Sequence, residues 1–472
     1  MSGRLYLARS SGHDTVEKTI GPGEVGRKTA SLRRDRQAIE GSQLFYPPNV
    51  AITPGFFGRF LLASGALEAK DEAEAKARLM ATDFTDEERQ SIESAIVAFP
   101  EILRTTLMVR SDDYSRGVGL WHSGAVSTDL ENERRVVRDL VGKVEIQAKL
   151  VLASDLGDNV RTFKRIKSLN SNPGVLLMPA FGEVVYDSGL HLTPPLSMNY
   201  LGGPGVWSSL AGVGVGIGGS NDRFAPKTIG TGIPFGVMEV GWPKSRWNAI
   251  KLDTGKIEEI NVEGMLMQMG MAFQMFPDTF FDLNKKLIEL VGKIGPRYLE
   301  IVKDDLQRPI YVVVQSSPVE IRTVETPELS PTQEKQMETD KVMGSKVVRS
   351  DLVRYGELEP DLDQREFNAR NRGYILVVKI GNEHCDAFME RWQLDQFSNA
   401  GAIIMQVDEI FHPMGSHVGG VIRELDIPVL AGRVFGPFMA TLQQKRVAQV
   451  ESIVYANEFE EQGFLATDQV CR

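Results

Sequence analysis

Cysteine is almost missing from this chain: Cys385 and Cys471 are the only two in 472 residues. That excludes a disulfide framework and any cysteine-rich zinc spacing, and makes a reducing, cytoplasmic setting the expectation. Positive charge is in deficit as well. Lys and Arg total 53 against 63 Asp and Glu, a net charge of −10. Neutralising a nucleic-acid backbone needs a basic face, so nucleic acid is not expected as the main partner. No apolar run approaches the roughly twenty residues of a membrane-spanning helix, and Met1–Arg9 has no apolar stretch of signal-peptide length. Internal repeats and low-complexity tracts are also lacking.

What is present is ordinary globular composition, 42% apolar and 25% charged. The length implies several domains with sizeable cores. Residues 1–19 read as a leader with a possible edge strand at Arg4–Ala8. Ala66–Thr82 and Asp86–Ala98 carry apolar positions at helical spacing among paired charges, so they read as solvent-facing helices. A further helix is expected over 131–150, and another over Phe281–Ile294. Thr106–Val109 and Pro173–Ala180 read as buried strands. The glycines of Gly202–Gly219 lack the strand-loop-helix frame and spacing of a dinucleotide loop, so that reading is rejected. The methionines Met265, Met267, Met269, Met271 and Met275 read as adaptable core packing. His122 reads as an incidental loop histidine.

Five side chains carry the chemistry. Lys28 follows a glycine-led turn, Gly26-Arg27-Lys28-Thr29, in the first turn of a helix. There it is either a solvated charge or a point charge for a phosphate. Arg110 ends the strand Leu107-Met108-Val109, where it serves a structural ion pair or an anion. Tyr298–Val302 and Pro309–Pro318 read as a β-hairpin that sets Glu300 beside Gln315. A carboxylate with an amide oxygen is a hard-oxygen pair suited to Mg²⁺. His417 sits on a turn, Gly415-Ser416-His417-Val418-Gly419-Gly420, before an amphipathic helix and the strand Pro428-Val429-Leu430. A helix starting beside an imidazole directs its N–H groups at any anion attached there.

The stretch from Met414 to Val429 resembles the phosphohistidine motif of the phosphoenolpyruvate synthase and pyruvate phosphate dikinase family. Met414, Ser416, His417, Arg423, Glu424, Leu425, Ile427, Pro428 and Val429 fall in register without a gap. Ala402-Ile403-Ile404-Met405 resembles the strand before it. Gly26–Leu32, Val50–Phe57 and Val109-Arg110-Ser111 are similar to the family's nucleotide-binding segments, and the Glu300/Gln315 hairpin to its metal-binding strands. The departures are His412-Pro413, Gly415, Tyr298 where an acid is typical, and Ser317 where the family has an arginine. Arg308 and Arg322 lie close by in sequence as candidate substitutes.

The resemblance implies an α/β, multi-domain architecture: an ATP-grasp unit over 1–322, a linker over 323–341, a swivelling β/α phosphohistidine domain over 342–440, and a terminal helix and tail over 441–472. It implies ATP and Mg²⁺ as cofactors. Lys28, Arg110 and Gln315 would contact nucleotide, Glu300 and Gln315 would hold metal, and His417 would be the catalytic nucleophile. The expected activity is ATP-dependent phosphorylation of His417, from the β-phosphate, leaving AMP and phosphate. No C-terminal barrel for phosphoenolpyruvate or pyruvate follows His417, so the acceptor is expected on a separate subunit or as a small molecule. The alternative is a degenerate relative that binds or regulates without catalysis.

Overall fold

The structure is a computed structural model that describes residues 16–100, 106–113, 121–127, 133–186, 190–193, 196–203, 206–212, 227–231, 237–239, 246–252, 257–261, 277–303, 310–339, 341–357, 362–379, 392–406 and 417–468. Arg4–Ala8, Gly214–Gly219, Met265–Met275, both cysteines and Arg308 lie outside the described residues. The chain divides into two compact units, Met1–Val319 and Glu320–Arg472, and both mix helices with sheets. Among the described residues no helix is long and apolar enough to cross a membrane.

The first unit begins with β1 (Glu17–Ile20), β2 (Asn49–Ile52), β3 (Thr106–Asp112), β4 (Ser123–Ser127) and β5 (Gly174–Pro179). They form one sheet in the order β1-β2-β5-β3-β4. Side chains alternate across a strand with a period of two, so this sheet is packed on both faces. Leu107 and Val109 of β3, with Val175 and Leu177 of β5, join a core with Phe60, Leu79, Ile92 and Val144. Those four come from helices Gly58–Ser64, Glu72–Ala81, Asp86–Val97 and Glu133–Ser154. Thr85 and Glu88 start the third of these helices with a reciprocal capping box, as Ser/Thr-x-x-Glu predicts. Met108, Leu176 and Met178 point the other way, into a core shared with Leu299, Ile301, Val312 and Val314.

That second face meets the remaining strands of the unit. These are β6 (Glu183–Tyr186), β7 (Leu190–Thr193), β8 (Leu196–Gly203), β9 (Val206–Gly212), β10 (Lys227–Thr231), β11 (Val237–Glu239), β12 (Arg246–Lys251), β13 (Ile257–Asn261), β14 (Arg297–Lys303) and β15 (Tyr311–Pro318). One sheet runs β11-β10-β9-β8-β14-β15 and the other β13-β12-β7-β6. Leu283, Leu287 and Leu290 of helix Pro277–Ile294 sit in the core that β14 and β15 line. The antiparallel pairing of β14 with β15 is the hairpin that the Val312-Val313-Val314 run suggested, and Glu300 faces Gln315 directly.

In the second unit β16 (Gln333–Thr339), β17 (Lys341–Met343), β18 (Lys346–Gly356), β19 (Ile375–Lys379), β20 (Ala402–Gln406), β21 (Val429–Gly432), β22 (Val447–Asn457) and β23 (Gln462–Asp468) form one sheet. Its order is β16-β23-β22-β18-β19-β20-β21-β17, with β18 to β21 parallel. A single residue separates β16 from β17, yet they stand at opposite ends of the order. The two edges therefore come together: Thr339 Oγ1 donates to the Ala431 carbonyl at 2.5 Å, and Phe435 N–H to the Gln336 carbonyl at 2.7 Å.

Two expected boundaries are corrected here. The linker placed at 323–341 ends in strand from Gln333 on, because β16 pairs with β23 and β17 with β21, and the unit boundary falls after Val319. Only Met337 of β16 is buried, so a polar edge strand reads in sequence as a linker. The terminal helix and tail expected over 441–472 are also overturned. Helix Gly436–Lys445 stops at Arg446, whose φ is +61°, and residues 447–468 continue as β22 and β23. Pairing of β22 with β18 overrides the helical spacing of Leu442 to Val450.

Candidate functional site

Helix Arg27–Arg34 is held between the five-stranded and six-stranded sheets of the first unit by a buried aspartate at each end. Its N-cap, Gly26, has no side chain to satisfy the first free N–H groups. Asp112 of β3 does so from more than eighty residues away: Gly26 N–H donates to its Oδ2 at 3.0 Å and Thr29 N–H to Oδ1 at 3.1 Å. A Cβ on Gly26 would lie 2.2 Å from the Asp112 carbonyl oxygen, so only glycine permits this approach. Burial pushes the Asp112 carboxyl up, against the hydrogen bonds from Thr29. Asp35 closes the other end. It accepts from Arg297 Nε at 2.9 Å and Ser316 Oγ at 2.6 Å, on β14 and β15. Burial raises its pKa, but the bonds from Arg297, Ser316 and Arg34 outweigh burial and hold it below the usual carboxylate range.

Arg110 lies on β3, between the strands that this helix braces. Its Nη2 donates to Glu300 Oε2 at 2.8 Å and to Gln315 Oε1 at 3.0 Å, while Nη1 donates to the Val314 carbonyl at 3.1 Å. A β-bulge makes the last bond available. Glu300 pairs with Gln315 and Ile301 with Val313, which leaves Val314 over as the extra residue. Gln315 is only 2% exposed, and among the described residues its Nε2 has no hydrogen-bond partner. A buried amide N–H₂ of that kind calls for an acceptor.

Lys28 does not join this group. Its ammonium donates to the Ser111 carbonyl at 3.1 Å, Ser111 Oγ at 3.0 Å and Asp113 Oδ2 at 3.1 Å, which uses all three of its donors. It is neither the solvated charge nor the free phosphate ligand of the sequence reading. His122 Nε2 lies 2.7 Å from Gln147 Oε1, a partner on helix Glu133–Ser154. Ser317 is buried where an arginine was expected. Arg322 belongs to the second unit and pairs with Glu320 and Asp426.

Tested as a metal site, Glu300 and Gln315 supply hard oxygens, but both already accept from the same Arg110 nitrogen. As the side chains stand, a guanidinium and not a divalent cation has the seat. Among the described residues no group of three or more His, Cys, Asp or Glu could hold a metal ion.

His417 is the first residue of helix His417–Glu424, and its side chain lies outside the described residues. The helix falls between β20 and β21, a parallel pair, so His417 enters a β-α-β crossover at the helix's positive end. Arg423 on the same helix pairs with buried Glu458 through two bonds of 2.8 and 2.7 Å, which fixes the helix to the end of β22.

Sequence reasoning missed Asp112, Asp113, Asp35 and the Val314 bulge. One signal was present: a helix start led by glycine with no capping side chain asks for a remote acceptor.

No known family's profile matches the chain, and no curated protein matches it. Among solved structures, the muramoyltetrapeptide carboxypeptidase from Oxalobacter formigenes matches 30% of this chain at 15% identity and a TM-score of 0.18. The chain covers 52% of that protein, and the likeness is too slight to bear on fold or activity.

Proposed function

We propose that the chain is an ATP-dependent phosphotransferase of the phosphoenolpyruvate synthase type. On this reading the first unit is an ATP-grasp nucleotide-binding unit and the second a swivelling phosphohistidine domain. One observation carries it. Arg110 and, 190 and 205 residues further on, Glu300 and Gln315 come from three strands and converge around a buried amide donor that lacks an acceptor among the described residues. Phosphoryl oxygens would supply that acceptor, and a guanidinium is the side chain best matched to phosphate.

The imidazole of His417 would attack the β-phosphorus of ATP through its neutral nitrogen, breaking the α–β bridge and releasing AMP. Water would then cleave the β–γ bridge of the pyrophosphorylated imidazole, releasing phosphate and leaving one phosphoryl group on the ring. The phosphoramidate formed keeps a high transfer potential and would pass to an acceptor held by a partner subunit or to a small molecule. Arg110 would hold the polyphosphate while charge builds during transfer. Mg²⁺ does not fit between Glu300 and Gln315 as they stand, so no step is assigned to it.

The second reading, a non-catalytic relative that binds or regulates, has its own support. Lys28 is neutralised by Asp113, the helix start beside it is sealed by Asp112, and Ser317 replaces the expected arginine. Incubation with β- and γ-labelled ATP separates the two readings. Acid-labile β-label that disappears in His417→Ala supports the dikinase route, γ-label indicates a simple kinase, and no label indicates the non-catalytic relative.

A further inference from the structure

Among the described residues the cluster around Arg110 is neutral. One carboxylate, that of Glu300, meets one guanidinium at 2.8 Å, and the Gln315 amide and Val314 carbonyl bring no charge. The amide has only one workable orientation. Gln315 Oε1 accepts from Arg110 at 3.0 Å, and a flip would press its N–H₂ against the guanidinium, so Nε2 stays the unmet donor. A site that bridges phosphate through a divalent cation offers open oxygens to the metal. This one offers donors. Of the three acceptors on Arg110, Glu300 alone reaches solvent, with 24% of its side chain exposed, whereas Gln315 and Val314 are buried.

We infer that an anion binds here as its metal-free species, and that Glu300 is its internal competitor for Arg110 rather than a ligand of a cation. A phosphoryl oxygen accepts from Gln315 Nε2 and from the guanidinium, and the Glu300 carboxylate gives way to solvent. Removing the charge of Glu300 therefore strengthens anion binding, whereas at a metal-bridged site the same change weakens it. Mg²⁺ already complexed to the anion cancels the charge that Arg110 attracts, so it weakens binding as well. The nucleotide reading supplies only the identity of the anion; the competition depends on the geometry around Arg110.

The test measures, on the full chain, dissociation constants for a fluorescent ATP analogue and for inorganic tripolyphosphate, each in chelator and in Mg²⁺. Glu300→Gln should bind both anions in chelator about tenfold more tightly than wild type, the scale on which one adjacent charge shifts ion affinity. Gln315→Glu puts a carboxylate where the N–H₂ was and should lose about tenfold or more in chelator. It serves where Glu300→Gln does not fold, and unchanged binding by it overturns the inference. Unchanged or weaker binding by Glu300→Gln, or wild-type binding that requires Mg²⁺, overturns the competition and leaves the nucleotide reading standing. Tripolyphosphate binding with these shifts but no analogue bound supports the competition while the nucleotide reading fails. If neither wild type nor Glu300→Gln binds either anion, both are overturned.

Discussion

Lys28 and Arg110 were expected to do the same work, and neighbouring residues of one strand give them opposite fates. Ser111 and Asp113 surround Lys28, which is 6% exposed and has every donor spent. Arg110 is bound too, but its partners are a partly exposed Glu300, a buried Gln315 and a bulge carbonyl, and beside it a donor goes unmet among the described residues. A buried cation with a buried counter-charge is part of the scaffold. One that lies beside an unmet buried donor stands where an anion would be bonded by both. Residue type alone does not separate the two; the state of the surrounding acceptors does.

The sharpest way to break this contrast is Lys28→Met. It strands the buried Asp113 carboxylate and should cost about 3–5 kcal/mol in denaturant unfolding. Normal stability with lost ATP binding would show that Lys28 is a ligand after all. Gly26→Ala comes next, at about 1–3 kcal/mol, because the new methyl must displace the Asp112 backbone. Unchanged melting would mean that Asp112 does not seal the helix.

Arg110→Met should cost about 1–3 kcal/mol of stability, because it leaves the buried Gln315 and Val314 oxygens without their donor. Its binding of ATP analogue in chelator should fall by about tenfold or more. A large loss of stability would place Arg110 in the scaffold beside Lys28.

The smallest effect concerns pH. Asp35 has its folded pKa below the ordinary 3.8, so the unfolded chain binds its proton more readily. Its contribution is complete above the unfolded value and is lost as pH falls through the folded one. Asp35→Asn should therefore be less stable near neutrality and show a shallower loss below about pH 4, read from urea midpoints across acid pH.

Much of this was legible in the residues. The hairpin announced itself through Val312-Val313-Val314, and β3 through its apolar run into Arg110. The pairing of Glu300 with Gln315 followed from antiparallel register. Strand β16 was not legible, because an edge strand with one buried residue carries no alternation. Nor was the switch at Arg446, where the chain takes a left-handed turn without glycine. The Asp112 cap and the Asp35 anchor were hidden for another reason. Each joins residues separated by eighty or more positions, and no local pattern encodes a partner that far away.

The joining of the two ends of the eight-stranded sheet has a consequence for how the protein is made. Gln333 lies opposite Asp468, so the first strand of the second unit waits for the last before it can pair. On the ribosome, the segment from 333 to 339 emerges more than a hundred residues ahead of its mate, and contacts of such long range are slow to form. Until β23 emerges, β16 exposes bare backbone, whereas β21 already has β20 and β17 to pair with. An unpaired edge of this kind is where a growing chain mispairs most readily.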